Sequence, residues 1–267
     1  KIDPNKFLPV SRVFYENFMP VNFLTYEQNQ AYVSYPDELS QEQLDKYFYL
    51  DDKDIELIDA CRRDYNKLGY ALQLTTVRFL GTFLSNPIDV PSEAINYITK
   101  QLNITLSADI ARYLERKATR SAHCNEIKIV FDYHDFNAIW RFRLSRWLYS
   151  QAWFGNERPS ILFERCTMWL VIRKVLLPGL STLVILISRI RERVSKRLWQ
   201  RLASLANTSQ KEQLENLLLI PKGKRYSKLD ELKKGPTRIS SKGLVQALQR
   251  YKFIRDLGIG KINFGNI

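Results

Sequence analysis

The chain has 267 residues, 45% of them hydrophobic, so it can bury packed cores and is not a disordered tail. Its three cysteines are widely spaced, which argues against a disulfide framework and is typical of a reducing compartment. The net charge of +13 is uneven: residues 1–110 carry 10 Lys and Arg against 16 Asp and Glu, whereas residues 111–267 carry 31 against 12. This asymmetry favours a polyanionic partner, with nucleic acid ahead of a membrane surface.

The front of the chain carries clear helix boundaries. Ser40 opens a capping box with Gln43. Asp51 is placed to cap a second helix. A third helix is predicted from about Asn66 to Phe83 and is expected to end at Asn86-Pro87, after which Pro91 with Ser92 begins a fourth.

The rear of the chain continues the helical pattern. Ser107 is expected to cap a helix over Ala108 to Arg120. Further helices are predicted around 135–153, 159–176 and 181–205, over Gln210 to Leu218 behind a capping box of Ser209 and Glu212, and from about Lys242 to a stop at Gly258. Only Ile127 to Tyr133 looks like a strand. The predicted fold is mainly α and multi-helical, with two or three helical DNA-binding subdomains and at most one short hairpin or strand.

The predicted third helix contains a glycine, Gly69, within a mostly apolar segment. Glycine in a helix interior costs roughly 1 kcal/mol relative to alanine, so a close approach of another helix is a good reason for it. The polar residues of this segment, such as Gln73, are assigned mainly to core packing, with a ligand surface as the weaker alternative.

Few residues have the spacing of a catalytic or metal site. Asp132 and Asp135 imitate a carboxylate pair for two-metal chemistry, but one short strand among helices cannot build the sheet that such acids need. His123-Cys124 and His134 lack further ligands at zinc spacing. We therefore expect no catalytic centre, no metal site and no cofactor in this chain.

Clusters of basic residues are the strongest functional signal. Trp140 to Trp147 interleaves arginines with aromatic residues, which suits either a stacking platform or, more simply, a core stripe of Trp140, Leu144 and Trp147 or Leu148. The predicted DNA-binding residues are Arg112, Arg116, Lys117, Arg120, Arg141, Arg143, Arg146, Arg189, Arg193, Lys196, Arg197, Arg201, Lys222, Lys224, Arg225, Lys228, Lys233, Lys234, Arg238 and Lys242.

Besides phosphate binding, the rear segments allow two other interpretations. Leu229 to Lys234 and Lys242 to Arg255 can form a helix–turn–helix whose second helix is the recognition helix. The basic amphipathic helix over 181–205 can instead belong to a membrane-surface or protein-interaction module. The apolar run Val175 to Ile187 contains Pro178-Gly179 and is too short to cross a bilayer.

The segment Arg62 to Phe83 resembles the N-terminal region of Tn3-family transposases, the enzymes of replicative bacterial transposons. The likeness covers nearly all of residues 19–267. It includes the motifs Met19-Pro-Val-Asn-Phe-Leu24, Tyr47 to Asp52, Tyr113 to Arg120, Arg146 to Tyr149, Glu157 to Ser160, Arg173 to Gly179, Gly235 to Arg238 and Ile254 to Gly258. Lys67 and Tyr70 stand where the family is expected to have Arg and Phe.

The resemblance implies a function and a domain plan. It implies recognition of terminal inverted repeats in double-stranded DNA, which positions the transposon ends for strand transfer by a Mg²⁺-dependent DDE catalytic domain expected to lie beyond this chain. Self-association on DNA, a cytoplasmic location in bacteria and association with the nucleoid follow from the same likeness. The expected domains are a non-family leader over 1–18, an N-terminal helical domain over 19–105, a basic helical domain over 106–206 and the start of an HTH-like DNA-binding domain over 207–267.

Overall fold

The structure is a computed structural model that describes residues 23–104, 110–155, 157–233 and 240–258. Its helices are α1 (Tyr26–Ala31), α2 (Gln41–Gln43, continued by a π-helical turn over Leu44–Phe48), α3 (Asp52–Asp59), α4 (Asp64–Leu80), α5 (Ser92–Leu102), α6 (Ile110–Glu115), α7 (Lys117–Val130), α8 (Ala138–Phe154), α9 (Pro159–Ile172), α10 (Leu180–Leu205), α11 (Thr208–Asn216), α12 (Lys228–Lys233) and α13 (Ser241–Asp256). The mainly α prediction is confirmed. Within the described ranges, the β pairing is a single bridge between His134 and Val175.

The chain divides into two compact units between Glu192 and Arg193. The predicted four-part domain plan stays a prediction, and its leader, residues 1–18, lies outside the described residues. No helix in the described part of the chain is long and apolar enough to cross a bilayer.

The first unit is built around α4, which contacts α3, α5, α6, α7 and the π-helical turn. Twelve of the 17 residues of α4 are buried. Among them, Leu72 and Leu74 are completely inaccessible to solvent. The helix is therefore buried around most of its circumference, as expected for a helix with neighbours on nearly every side.

The end of α4 is fixed by a glycine in the left-handed region. Gly81 has a φ of +74°, and its N–H donates to Val77 O. Its carbonyl accepts a hydrogen bond of 2.9 Å from Leu177 N, in the segment after α9. The helix predicted from about Asn66 to Phe83 therefore ends three residues earlier than predicted, because Gly81 adopts the αL conformation that favours helix termination.

Two other predicted elements are wrong. The single helix over Ala108 to Arg120 is interrupted at Arg116, whose φ and ψ of −96° and 74° are not helical. The break lets α6 and α7 each pack on α4 separately. The strand-like segment Ile127 to Tyr133 is mostly the end of α7, because the fully buried Ile127 fits the apolar side of a helix anchored on the core. The predicted cap Ser107 lies outside the described residues.

The second unit contains the rear of α10 followed by α11, α12 and α13. The predicted capping box of Ser209 and Glu212 is wrong, because Asn207 and Gln210 form it two residues earlier. Gln210 Nε2 also donates to Gly258 O at 3.1 Å, which joins α11 to the end of α13. Ser240 caps α13 through a hydrogen bond from Gly243 N.

Candidate nucleic-acid interface

Helix α8 presents an outward basic surface in the first unit. Asn137 caps the helix by accepting hydrogen bonds from Ile139 N and Trp140 N at 3.0 and 3.1 Å. The inward side buries Leu144 and Leu148, the two core residues that the apolar stripe predicted. The helix contains three arginines, Arg141, Arg143 and Arg146, and no Asp or Glu, and all three arginines are exposed.

The tryptophans beside these arginines form a partly buried cluster rather than the centre of the core. Trp169 of α9 lies 6.2 Å from Trp140 and 6.0 Å from Trp147, measured between ring centroids. His134 stacks on Trp140, with ring centroids 5.3 Å apart. The predicted core stripe is thus correct for the leucines, while Trp140 and Trp147 mark the boundary between the core and the basic surface.

The aromatic rings hold guanidinium groups in place. Arg143 lies 4.8 Å from the centroid of Trp140, and Arg173 lies 4.1 Å from Trp169. Arg146 lies 6.0 Å from the ring of Phe142 on the same helix. A guanidinium stacked on a ring keeps its N–H groups at its edge available for hydrogen bonds. Among the described residues, none of the three α8 arginines forms an ion pair with a carboxylate.

A second group of cations surrounds the start of α7. Arg112 of α6, Arg116 and Lys117 are exposed, whereas Arg120 is half-buried. Arg116 provides no side-chain cap, and the first turn of α7 contains no acidic residue. The positive end of the helix dipole therefore adds to these cations, an arrangement that favours a bound anion such as phosphate.

A buried polar network fixes α6 and α7 against α4. Tyr113 Oη accepts a hydrogen bond from Gln73 Nε2 and lies 2.9 Å from His123 Nδ1. Cys124 Sγ donates to Gln73 Oε1, and Cys61 Sγ lies 3.8 Å from His123 Nε2. Burial lowers the pKa of His123 and raises the pKa values of Tyr113 and Cys124. These groups are therefore held neutral, and the network positions helices rather than presenting a nucleophile.

The close approach expected at Gly69 is made by the ring of Tyr113. A Cβ at Gly69 would lie 2.5 Å from that ring. The core assignment of Gln73 is correct, since its side chain is almost completely buried. What the sequence did not show is that Gln73, Tyr113 and His123 meet, because they lie on three different helices.

The acidic candidates do not converge. Asp135 forms an ion pair of 3.1 Å with Lys128, and Asp132 Oδ1 lies 3.7 Å from His134 Nε2. Within the described ranges, no group of three or more His, Cys, Asp or Glu side chains is placed to hold a metal ion.

The basic residues of α10 occupy two environments. Arg189, Arg193, Lys196 and Arg197 are exposed, as is Arg201. Arg191, on the same helix, is half-buried, and burial lowers its pKa. The amphipathic character predicted for 181–205 is present, with Ile187, Ile190 and Val194 buried.

The cations of the second unit are partly paired. Lys224 and Lys228 contact Glu231 at 3.3 and 2.9 Å. Hydrogen bonds from Lys228 and then Lys224 lower the pKa of that carboxyl. Exposed side chains of the same region are Lys222, Arg225, Lys233 and Lys242. Lys234 and Arg238 lie outside the described residues.

The outward side of α13 differs from that of α8. Leu244, Leu248 and Tyr251 lie at i, i+4 and i+7, and all three are exposed. On the opposite side, a cavity of about 420 Å³ is lined by Phe253, Gln246 and Gln249 together with residues of α12. The helix–turn–helix interpretation stays a prediction, since most of the intervening turn is outside the described residues.

Comparison with known proteins identifies the family. Residues 23–190 match a family described as a domain of unknown function, DUF4158. The transposase for transposon gamma-delta of Escherichia coli (strain K12) is 46% identical over 250 residues, which cover 93% of this chain and 25% of that protein. The transposase for transposon Tn1546 of Enterococcus faecium is 27% identical, over 91% of this chain and 24% of that protein. The chain belongs to the Tn3 family of transposases.

The family resemblance seen in the sequence is thereby confirmed. A third Tn3-family relative, the transposase for transposon Tn501 of Pseudomonas aeruginosa, is 28% identical over 80% of this chain and 21% of its own length. The chain spans about a quarter of the length of the curated relatives it matches. The DUF4158 match includes α7, α8 and α9, whereas α11, α12 and α13 lie beyond it.

Proposed function

We propose that this chain binds duplex DNA and recognises the terminal inverted repeats of its transposon. In this proposal it positions the transposon ends for strand transfer by a catalytic domain elsewhere in the transposase. Any Mg²⁺ used in strand transfer would be bound by that catalytic domain. The observation that carries the proposal is the exposed surface of α8, with three arginines and no carboxylate on the helix.

The electrostatics of the first unit support DNA as the partner. Arginines that are paired with carboxylates give up part of their attraction for a phosphate, as Arg78 does in its pair with Asp54. Arg143 and Arg146 are held by aromatic rings instead, so phosphates or base edges would meet pre-oriented donors. The cations at the start of α7 would add contacts to the DNA backbone.

A binding experiment tests this proposal. The chain is titrated into a fluorescent duplex that carries the terminal inverted repeat of its own transposon, and separately into a scrambled duplex of the same composition. We expect tighter binding to the repeat than to the scrambled duplex. The affinity for both duplexes should fall steeply with salt, and a plot of the logarithm of the binding constant against the logarithm of salt concentration should fall with a slope of about 0.9 per phosphate contact. Equal affinity for the two duplexes at moderate salt would remove the sequence-specific part of the proposal.

The exposed apolar residues of α13 favour a second function in the same assembly, self-association on DNA. Leu244 and Leu248 are 64% and 58% exposed, which is unusual for leucines that share one side of a helix. Light scattering of the chain with and without repeat duplex tests this. If two copies meet through α13, a Leu244→Ser, Leu248→Ser variant should bind DNA but remain monomeric, whereas an unchanged dimer fraction would exclude α13 as the contact.

A further inference from the structure

Helix α8 has an exposed strip that combines apolar and cationic side chains. Ile139, Phe142, Arg143 and Arg146 lie at i, i+3, i+4 and i+7, so they share one side of the helix. All four are exposed, with Ile139 at 62% and Phe142 at 63%. Recognition helices in the major groove read bases through side chains at this same spacing.

The composition of this strip identifies the surface that it can meet. Arg143 and Arg146 pair with no carboxylate among the described residues, so they attract a polyanion, whereas an exposed phenylalanine and isoleucine gain only from apolar contact. In the grooves of duplex DNA, the prominent apolar group is the thymine 5-methyl, which lies in the major groove beside the acceptors of guanine. Charge and apolar surface together therefore match a base-pair edge better than a phosphate backbone alone.

We infer that α8 enters the major groove and reads base pairs, with Phe142 against a thymine methyl and Arg143 and Arg146 donating to guanine O6 and N7. This inference rests on the proposed DNA binding and adds which helix reads sequence and which chemical groups it reads. From Ile139 to Arg146 the strip is about 10.5 Å long, or about three base pairs. Arg141 lies on another side of the helix.

The arginine conformations suit this role. Arg143 stacks on Trp140, and Trp140 itself contacts the rings of His134 and Trp169. A guanidinium with its plane supported in this way loses less conformational freedom when it forms two parallel hydrogen bonds to guanine. By contrast, the exposed side of α13 carries mainly Leu244, Leu248 and Tyr251, with few donors for base edges.

The test replaces each thymine of the inverted-repeat duplex in turn by deoxyuridine, which lacks only the 5-methyl group. For the unchanged chain, we expect at least one position where deoxyuridine weakens binding by about fourfold, as for the loss of one buried methyl group. The Phe142→Ala variant should bind the all-thymine duplex more weakly and show no further loss at that position. Phe154→Ala is the matched control, since Phe154 is 87% exposed but lies at the end of the same helix, about 18 Å along its axis from Phe142. It should keep the original profile.

A second variant tests the guanine contacts. At one position, the unchanged chain should bind a duplex with guanine about tenfold more tightly than a duplex with 7-deazaguanine. Arg143→Lys keeps the charge but loses the planar fork of donors, so it should lose this discrimination. If Phe142→Ala keeps the thymine profile of the unchanged chain, the inference is wrong. A Phe142→Ala variant that alters light scattering without DNA, and leaves the profile unchanged, would assign this strip to protein contact instead. If the unchanged chain shows no preference for the repeat, the proposed function itself fails, which is a distinct result.

Discussion

Helices α4 and α8 have the same length, 17 residues, but use their polar side chains in opposite ways. In α4, Arg78 is bound to the fully buried Asp54 by two hydrogen bonds of 2.7 Å, and Gln73 is bound to Tyr113. In α8, Arg143 and Arg146 face outward and have aromatic rings as neighbours. The contacts of an arginine side chain, more than its residue type, therefore decide whether it has a structural role or is available to a ligand. Changes in α4 should reduce stability, whereas changes in α8 should reduce DNA binding.

The largest expected effect on stability comes from Arg78→Ala. Removing Arg78 leaves the Asp54 carboxylate buried without its partner, which should lower the free energy of unfolding by about 3–5 kcal/mol. Urea denaturation followed by circular dichroism measures this change. Arg143→Ala is the matched control and should cost less than about 1 kcal/mol, because it removes only an exposed cation–π contact. Similar losses for the two variants would break the distinction between α4 and α8.

A smaller loss is expected from Gly69→Ala. The new Cβ would press on the ring of Tyr113, so α6 must shift, and we expect a cost of about 1–3 kcal/mol. Gly179→Ala is the control, since among the described residues, its two chain neighbours aside, no atom lies within 4 Å of a Cβ at that position. It should change stability by no more than about 0.5 kcal/mol. If thermal unfolding shows that neither variant changes stability, α6 does not pack tightly on α4 at Gly69.

The smallest effect concerns pH. Burial lowers the pKa of His123 below its ordinary value of 6.5, so the unfolded chain takes up a proton before the folded chain does. The contribution of His123 to the free energy of unfolding should therefore be complete above about pH 7. It should decrease as the pH falls through 6.5 toward the lower pKa of the folded state. His123→Gln should have a flatter dependence of unfolding free energy on pH in that range. Parallel curves for the two proteins would show that His123 is not held neutral by burial.

The sequence predicted much of the fold because many boundaries are local. The capping box at Ser40, the cap at Asp51 and the helix start after Pro91 depend on residues within one turn and are all present. Two of the errors arose where tertiary contacts decide. Ile127 to Tyr133 has β-branched and aromatic residues typical of a strand, yet contact with α4 keeps most of it helical. Likewise, the break at Arg116 depends on the separate anchoring of two helices on α4.

The candidate interface was predictable in composition but not in geometry. The interleaved arginines and aromatics of 140–147 pointed to α8, and the exposed positions of Arg143 and Arg146 follow from helical periodicity once Leu144 and Leu148 are assigned to the core. The contribution of Trp169 could not be predicted, because it comes from α9 through a contact between helices. The pairing of Lys224 and Lys228 with Glu231 likewise required the fold of the second unit.

The central claim, that the arginines of α8 bind DNA, is tested most directly by comparing two triple variants on the same repeat duplex. The first is Arg141→Ala, Arg143→Ala, Arg146→Ala. The control removes the same charge from three exposed positions in the acidic segment, residues 1–110, as Lys46→Ala, Arg62→Ala, Lys100→Ala. We predict an affinity loss of about 100-fold or more for the α8 variant, with unfolding temperature unchanged, and a loss within about threefold for the control. Equal losses of affinity in the two variants would contradict the claim that the α8 arginines bind DNA.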